Sequence, residues 1–222
     1  MDTNGAFSAQ ERAAVYKCIF HRRDVRGEFL PDPVPDEVLT RILLAAHHAP
    51  SVGFVQPWVF IVVRRADVKA RLFEAFVHAN TEAAGMFEPG RAAKYRRLKL
   101  EGIREAPVGI CVTGDRNRAG ATVLGRTHQP DMDLYSTVCA VQNLWLAARA
   151  EGVGVGWVSI IRPEHLRDIL AIPSAVVPVA YLCIGYTRYF HDKPELEKRD
   201  WARRIDIREC IRLEQWDGER PA

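Results

Sequence analysis

The stretch that most restricts how this chain can fold is a helical run over residues 131–150 that is apolar on nearly every side. The residues that recur at helical spacing are Leu134, Val138, Val141, Trp145 and Ala148, with Cys139, Ala140, Leu146 and Ala147 on the other faces. A helix that is hydrophobic all round is buried on all sides. In a chain of 222 residues, we therefore expect this helix to be covered by a sheet and by a second subunit.

Four apolar runs predict the strands of that sheet, at 59–63, 108–113, 153–160 and 176–186. Further helices are predicted after the capping box Ser8-Ala9-Gln10-Glu11, from Asp36 to the stop at Pro50, from a cap at Asp67, and over 163–170. The basic segment 91–105 is helix-prone, and its pattern fits either a solvated helix or a mobile lid. We predict one domain over 1–222, with 187–222 as a C-terminal extension that wraps a partner subunit.

Composition excludes several classes of protein. The formal net charge of +3 is too small to indicate binding to nucleic acid or membrane. No apolar run reaches the roughly 18 residues of a spanning helix, and the N-terminus lacks the blocks of a signal peptide. The five cysteines are scattered without a C-x-x-C pair and most lie in apolar runs, which predicts small buried residues and no metal site. We expect a cytoplasmic protein.

The run Arg22-Arg23-Asp24-Val25-Arg26 places three arginines within five residues. A guanidinium group is a rigid fork of donors that matches phosphate bidentately. The run therefore predicts an anion site. The alternative is a surface charge cluster in which Asp24 pairs with one of its neighbours.

Two other stretches have the character of ligand contacts. The loop from Pro50 to Trp58 leads into a predicted strand, and loops held by a rigid scaffold commonly carry binding residues. The run from Gly154 to Ser159 alternates glycine with larger residues, but it is not a G-x-G-x-x-G fingerprint and supports no Rossmann nucleotide site. Glycine in a strand indicates the close approach of a backbone or of a flat ligand.

Together these motifs resemble the FMN-dependent nitroreductase family. The matching pieces are the arginine run, Pro50-Ser51 with Gln56-Pro57-Trp58, the buried central helix, the glycine-rich strand and the basic C-terminal segment. The resemblance implies an α/β (α+β) fold, in which a nitroreductase-like mixed sheet is flanked by helices. It also implies an intertwined homodimer with FMN at the subunit interface.

Within that family the chain is most similar to the oxygen-dependent 5,6-dimethylbenzimidazole synthases. Besides the arginine run, the similar stretches are 49–54, 94–96, 98–104, 133–145 and 154–159. Asp24 stands where ordinary nitroreductases have serine, and Phe54 stands where they have asparagine. The resemblance implies that reduced FMN is the substrate and O₂ the co-substrate. Reduced FMN would react with O₂ and be fragmented to erythrose 4-phosphate and the lower ligand of cobalamin. A flavin reductase would supply the reduced FMN, so that NAD(P)H acts indirectly; direct use of NAD(P)H by this chain stays open.

The resemblance also implies roles for individual residues. Asp24 would move protons during ring cleavage, because a carboxylate can do so and serine cannot without a base. Ser159 would donate a hydrogen bond to the flavin edge; alternatively it is an ordinary strand hydroxyl. The full set of expected cofactor contacts is Arg22, Arg23, Asp24, Val25, Arg26, Pro50, Ser51, Gln56, Lys99, Gly156, Trp157, Ser159, Arg203 and Arg204.

Two other functions remain open at this stage. An NAD(P)H-dependent nitroreductase or flavin reductase would retain FMN as a cofactor and oxidise NAD(P)H rapidly. A non-enzymatic flavin-binding protein would bind FMN tightly without turnover. Asp24 and Ser159 favour the flavin-fragmenting synthase over both.

Overall fold

A computed structural model of the protein describes residues 5–219. The chain divides after Phe190 into a large N-terminal unit and a small C-terminal unit. The sequence predicted a single domain whose extension begins at residue 187. That the extension wraps a partner stays a prediction.

The N-terminal unit is built on a four-stranded sheet. Its strands are β1 (Trp58–Val63), β2 (Val108–Asp115), β3 (Val153–Val158) and β4 (Val176–Tyr186), in the order β1-β2-β4-β3. All three pairings of these strands are antiparallel. A single-residue bridge between Asp24 and Val155 adds a parallel contact, so the sheet is mixed only in this small way within residues 5–219.

The helices of the N-terminal unit are α1 (Ala9–His21), α2 (Asp36–His47), α3 (Ala66–Gly85), α4 (Pro89–Tyr95), α5 (Met132–Ala150) and α6 (Pro163–Leu170). Both bonds of the predicted capping box at Ser8 are present, which confirms the start of α1. The predicted cap of α3 is wrong: Arg65 is the N-cap, and Asp67 lies in the first turn and pairs with Arg65.

The helix-prone segment 91–105 is helical only as far as Tyr95, after which the chain is irregular. The physical reason is tertiary packing that overrides local propensity. Glu101 and Ile103 are buried, and Gly102 lies so close to the Arg26 carbonyl that an added Cβ would sit 2.6 Å from that oxygen.

Two hydrophobic clusters cover the two faces of the sheet. One contains Ile42 of α2 and Leu144 of α5, and the other contains Leu72 of α3 and Leu166 of α6. β4 serves both, because successive side chains of a strand point to opposite faces. Its alternate residues Tyr181 and Cys183 enter the second cluster, whereas Ala180, Leu182 and Ile184 enter the first.

One prediction of burial is corrected within the single chain, and a second is met there only in part. β1 was expected to be a buried strand, but Val59 and Val62 are about 40% exposed, because β1 is an edge strand. α5 buries one side against the sheet, yet Tyr135 is 56% and Val138 is 41% exposed. Cover for that side by a second subunit stays a prediction.

The C-terminal unit contains two single-turn helices, α7 (Glu195–Lys198) and α8 (Ile207–Cys210). Asp206 caps α8 by accepting from the backbone N–H of Arg208. Arg203 and Arg204 lie between the two helices and are exposed.

Candidate functional site

The arginine segment, residues 22–26, lies alongside β3. It begins directly after α1 and is tied to the sheet by the backbone N–H of Val25, which donates to the Val155 carbonyl over 3.0 Å. The Val25 side chain is only 3% exposed and belongs to the core. Val25, predicted as a cofactor contact, can therefore reach a ligand only through its backbone, whereas it anchors the segment through its side chain.

The glycines of β3 leave room for the arginine segment, which packs directly against this strand. A Cβ added at Gly156 would lie 2.0 Å from the Val25 carbonyl oxygen, and one at Gly154 would lie 3.0 Å from a Val25 methyl. The sequence predicted a close approach by a backbone or a flat ligand. The structure assigns that approach to the backbone of the arginine segment.

Asp24 is fixed through both of its carboxylate oxygens. Oδ1 accepts from the backbone N–H of Trp157 at 3.0 Å, and Oδ2 accepts from a guanidinium nitrogen of Arg26 at 2.5 Å. The side chains of Arg26 and Asp24 are 11% and 30% exposed. The ion pair that the sequence left as an alternative is therefore present, and it holds the carboxylate in one orientation at the end of β3.

Trp145 of α5 supports the other two arginines. Its ring lies under the Arg22 guanidinium, 4.7 Å from centroid to Cζ, and its Nε1–H donates to the Arg23 carbonyl over 3.1 Å. The Arg23 side chain donates to the carbonyls of Phe20 and Arg22. Sequence reasoning assigned Trp145 to the core alone. The available signal was its indole N–H, since a buried tryptophan normally finds a hydrogen-bond partner.

Lys99 lies next to the arginine segment. Its Cγ is 3.8 Å from the position of a Cβ built on Gly27, and its ammonium donates to Glu101 and, over 2.8 Å, to Glu105. Partial burial would lower the pKa of Lys99, but the hydrogen bonds to the two carboxylates outweigh burial and raise it. The ammonium therefore keeps its charge. Glu101 also accepts from the backbone N–H of Ile103 at 2.7 Å, which fixes the carboxylate that holds Lys99.

The other predicted contacts lie in the loop after α2, residues 50–56. Ser51 Oγ accepts from the backbone N–H of Gln56 at 3.0 Å. Phe54 and Gln56 both adopt positive φ angles, 56° and 49°, which cost a residue with a side chain about 1–2 kcal/mol each. Strain of this kind persists only where the surroundings enforce it, and it clusters at functional sites.

A second loop, residues 116–131, braces the first one. Arg118 donates to the backbone carbonyls of Gln56 and Trp58. A Cβ at Gly53 would lie 2.7 Å from a Val123 methyl. This second loop is held to α5 by an ion pair: Arg126 of the loop lies 3.1 Å from the buried carboxylate of Asp133 on the helix.

The arginine segment and the loop after α2 meet α5 at different ends. Ser136 near its start accepts from the backbone N–H of Val52, whereas Trp145 near its end binds Arg23. At 1.5 Å per residue, these two positions are about 14 Å apart along the helix. The structure thus groups Arg22–Arg26, Lys99, Gly156 and Trp157, and it groups Pro50, Ser51 and Gln56 separately.

Three residues that the sequence predicted as flavin contacts lie in neither of these two groups. Ser159 is exposed and follows the last residue of β3, close in sequence to Trp157. Arg203 and Arg204 belong to the C-terminal unit, so their part in the site stays a prediction.

The donor set beside β3 fits a flavin phosphate. A phosphate monoester carries between one and two negative charges near neutral pH. Three guanidinium groups and one ammonium lie within or beside one short segment, and they outnumber the paired carboxylates of Asp24, Glu101 and Glu105. Residues 5–219 contain no cluster of His, Cys, Asp or Glu arranged to hold a metal ion. None of their helices is long and apolar enough to cross a membrane.

Comparison with known proteins gives three kinds of match. The family model described as the nitroreductase family matches residues 19–186. Among curated proteins, the chain is 40% identical to 5,6-dimethylbenzimidazole synthase of Rhodospirillum rubrum, over 92% of this chain and 96% of the relative. It is 36% identical to the synthase of the same name from Rhodobacter capsulatus, over 90% and 96%.

Solved structures share the fold at lower identity. Oxidised iodotyrosine deiodinase bound to FMN and 3-iodo-L-tyrosine matches with a TM-score of 0.72 and 20% identity, over 91% of this chain and 100% of that one. A nitroreductase family protein from Clostridium difficile 630 matches with a TM-score of 0.66 and 20% identity, over 90% and 97%.

Proposed function

We propose that this chain, which belongs to the nitroreductase family, is a 5,6-dimethylbenzimidazole synthase. It would use O₂ to fragment reduced FMN into 5,6-dimethylbenzimidazole and erythrose 4-phosphate. The observation that carries the proposal is the 40% identity to the Rhodospirillum rubrum synthase across nearly the whole of both chains. Asp24, held between Arg26 and Trp157, supports it from the site.

In this proposal the arginine segment binds the substrate through its phosphate. Arg22 and Arg23 follow α1 directly, and Gly27, the residue after Arg26, lies next to the side chain of Lys99, so the four cations belong to one short stretch of backbone or lie beside it. Charge-assisted bonds from guanidinium to phosphate are among the stronger polar contacts in proteins. Reduced FMN itself supplies the electrons and the ring atoms of the product.

Asp24 would accept and return protons as the flavin bonds break. Its orientation is set by Trp157 and Arg26, and general acid–base catalysis requires a positioned group. Ser159 would hold the flavin edge by a hydrogen bond from the exposed end of β3.

The proposal includes a homodimer with FMN at its interface. No residue of α1 is buried in the single chain, and Tyr16 and Phe20 on that helix are 56% and 66% exposed. The two groups of predicted contacts are also separated along α5, and a dimer would bring the loop after α2 of one subunit to the arginine segment of the other. A monomeric mass in solution at micromolar concentration would contradict this part of the proposal.

The test is aerobic incubation of the purified protein with chemically reduced FMN, with the products identified by mass spectrometry. We expect 5,6-dimethylbenzimidazole and erythrose 4-phosphate, and neither product in an anaerobic control. Rapid NAD(P)H oxidation with intact FMN would instead identify a nitroreductase or flavin reductase. Tight FMN binding with no product and no NAD(P)H oxidation would identify a flavin-binding protein. A flavin reductase added with NAD(P)H should replace the chemical reductant.

A further inference from the structure

Trp145 touches the arginine segment in two independent ways. The face of its indole ring lies under the Arg22 guanidinium at 4.7 Å, and its Nε1–H donates to the Arg23 carbonyl at 3.1 Å. The side chain is nearly buried, at 8% exposure for the residue. Ring face and N–H therefore act on two consecutive arginines from a single rigid side chain.

The support beneath Trp145 does not shift easily. Leu144 and Ala148, its neighbours on α5, are fully buried in the core cluster against the sheet. One turn further along, Arg149 donates from Nε to the His21 carbonyl at 3.1 Å. The end of α5 thus holds two backbone carbonyls of residues 21–23, on either side of Arg22.

We propose that Trp145 is a positioning residue that presets Arg22 and Arg23 for the phosphate of a flavin, so that the site selects phosphorylated flavin over riboflavin. The proposal rests on the proposed function, in which the arginine segment binds that phosphate. A cation over an indole face is attracted by the ring quadrupole, which limits the directions open to Arg22. The bond to the Arg23 carbonyl fixes the backbone from which both side chains leave.

A merely structural tryptophan would behave differently. Losing it would weaken the packing of α5 and reduce the affinity for every flavin alike. A positioning role predicts a loss confined to ligands that carry the phosphate. The ratio of FMN affinity to riboflavin affinity therefore separates the two roles.

The experiment measures dissociation constants of oxidised FMN and of riboflavin for the full chain and for Trp145→Phe, by quenching of flavin fluorescence. Phenylalanine keeps a smaller ring under Arg22 and removes the N–H donor. We expect FMN affinity to fall about tenfold, the equivalent of one lost hydrogen bond and a weakened ring contact. Riboflavin affinity should stay within twofold.

The matched control is Ile42→Val. Ile42 is fully buried on α2 in the same core cluster as Trp145, but it belongs to neither group of predicted flavin contacts. We expect this variant to lose thermal stability to a similar degree while keeping the wild-type ratio of the two affinities.

A second variant covers the case in which phenylalanine disrupts folding. Site-specific replacement of Trp145 by 3-benzothienylalanine, in which sulfur takes the place of N–H, removes the donor and keeps the shape. We expect a three- to fivefold loss for FMN alone. Equal losses for FMN and riboflavin in either Trp145 variant would overturn the proposal. Wild-type protein that binds both flavins equally would overturn it too, and would also remove the arginine segment from the proposed function.

Discussion

The arginine segment and the loop after α2 carry most of the predicted flavin contacts, yet they are held in place by opposite means. The arginine segment is extended backbone that pairs with β3 through the bridge from Asp24 to Val155. The side chain of Val25, in the middle of the segment, is buried. The loop has two non-glycine residues with left-handed backbone angles and is held by side-chain bonds from Ser51 and Arg118.

This difference in support predicts how substitutions in each region affect the protein. The arginine segment shares the hydrophobic core, so changes that displace it should reduce the stability of the whole N-terminal unit. The loop depends on a few partly exposed polar contacts, so changes there should act locally. Local opening with a free energy far below that of global unfolding is typical of such segments.

The largest expected effect comes from Asp24→Asn, which keeps the size of the side chain and removes its charge and basicity. The variant should still bind reduced FMN and react with O₂, but return oxidised FMN and hydrogen peroxide. Product formation should fall by about 10²–10⁴-fold, the usual contribution of a general acid or base. Product analysis by mass spectrometry and a peroxide assay check this.

Two contrary results would each change the assignment of Asp24. A loss of flavin affinity of more than tenfold would make Asp24 a residue that orients Arg26. Product formation at the normal rate would show that the carboxylate is not the proton carrier.

Gly156→Ala should destabilise the protein by about 3 kcal/mol, at the upper end of the usual cost of overpacking. The new Cβ would lie 2.0 Å from the Val25 carbonyl oxygen, and backbone on both sides would have to move. Urea unfolding measures the change. Gly85→Ala is the control, because a Cβ there meets nothing within 4 Å. If Gly156→Ala lowers the free energy of unfolding no more than this control does, β3 has room for a side chain.

Arg26→Ala should weaken FMN binding roughly ten- to a hundredfold, equivalent to losing one charge-assisted contact of about 1.5–3 kcal/mol. It also removes the ion-pair partner of Asp24. Fluorescence titration with FMN checks the loss. Arg64→Ala, which breaks the exposed pair with Asp36, should leave the affinity unchanged. An unaltered affinity in Arg26→Ala would remove this residue from the phosphate site.

The smallest effect is expected for Arg118→Ala, which removes the donor to the Gln56 and Trp58 carbonyls. Hydrogen exchange at the amides of residues 54–56 should accelerate about fivefold, as for one lost bond of ~1 kcal/mol. The amide of Val25 should be unaffected. Arg41→Ala, which breaks an exposed pair with Glu151, should change neither region. Unchanged exchange in Arg118→Ala would show that the loop keeps its shape without the brace.

Local sequence signals predicted the elements well where the cause is local. Each of these elements is predicted from residues that are close together in the chain. Examples are the Ser8 capping box, the apolar face of α2, the Pro163 start of α6 and the long apolar run of β4. The arginine segment was also recognised from composition alone. What it binds was taken from the resemblance to the family.

The rest depends on contacts between distant residues. The half-exposure of β1 follows from its place at the edge of the sheet, which strand order decides. The role of Trp145 depends on a partner 122 positions away in the chain. The early end of the predicted helix 91–105 follows from Gly102 packing against Arg26 and Phe29. Neither periodicity nor propensity contains this information.

The notch that Gly154 and Gly156 leave in β3 has a consequence for anyone who would transplant this site. A designer who grafts the five residues of the arginine segment onto another scaffold would transfer the charges without the space they need. A host strand with any side chain at the position of Gly156 would meet the Val25 carbonyl oxygen and exclude the graft. The portable unit is therefore the segment together with its grooved strand, and the two have to be moved, or varied, as a pair.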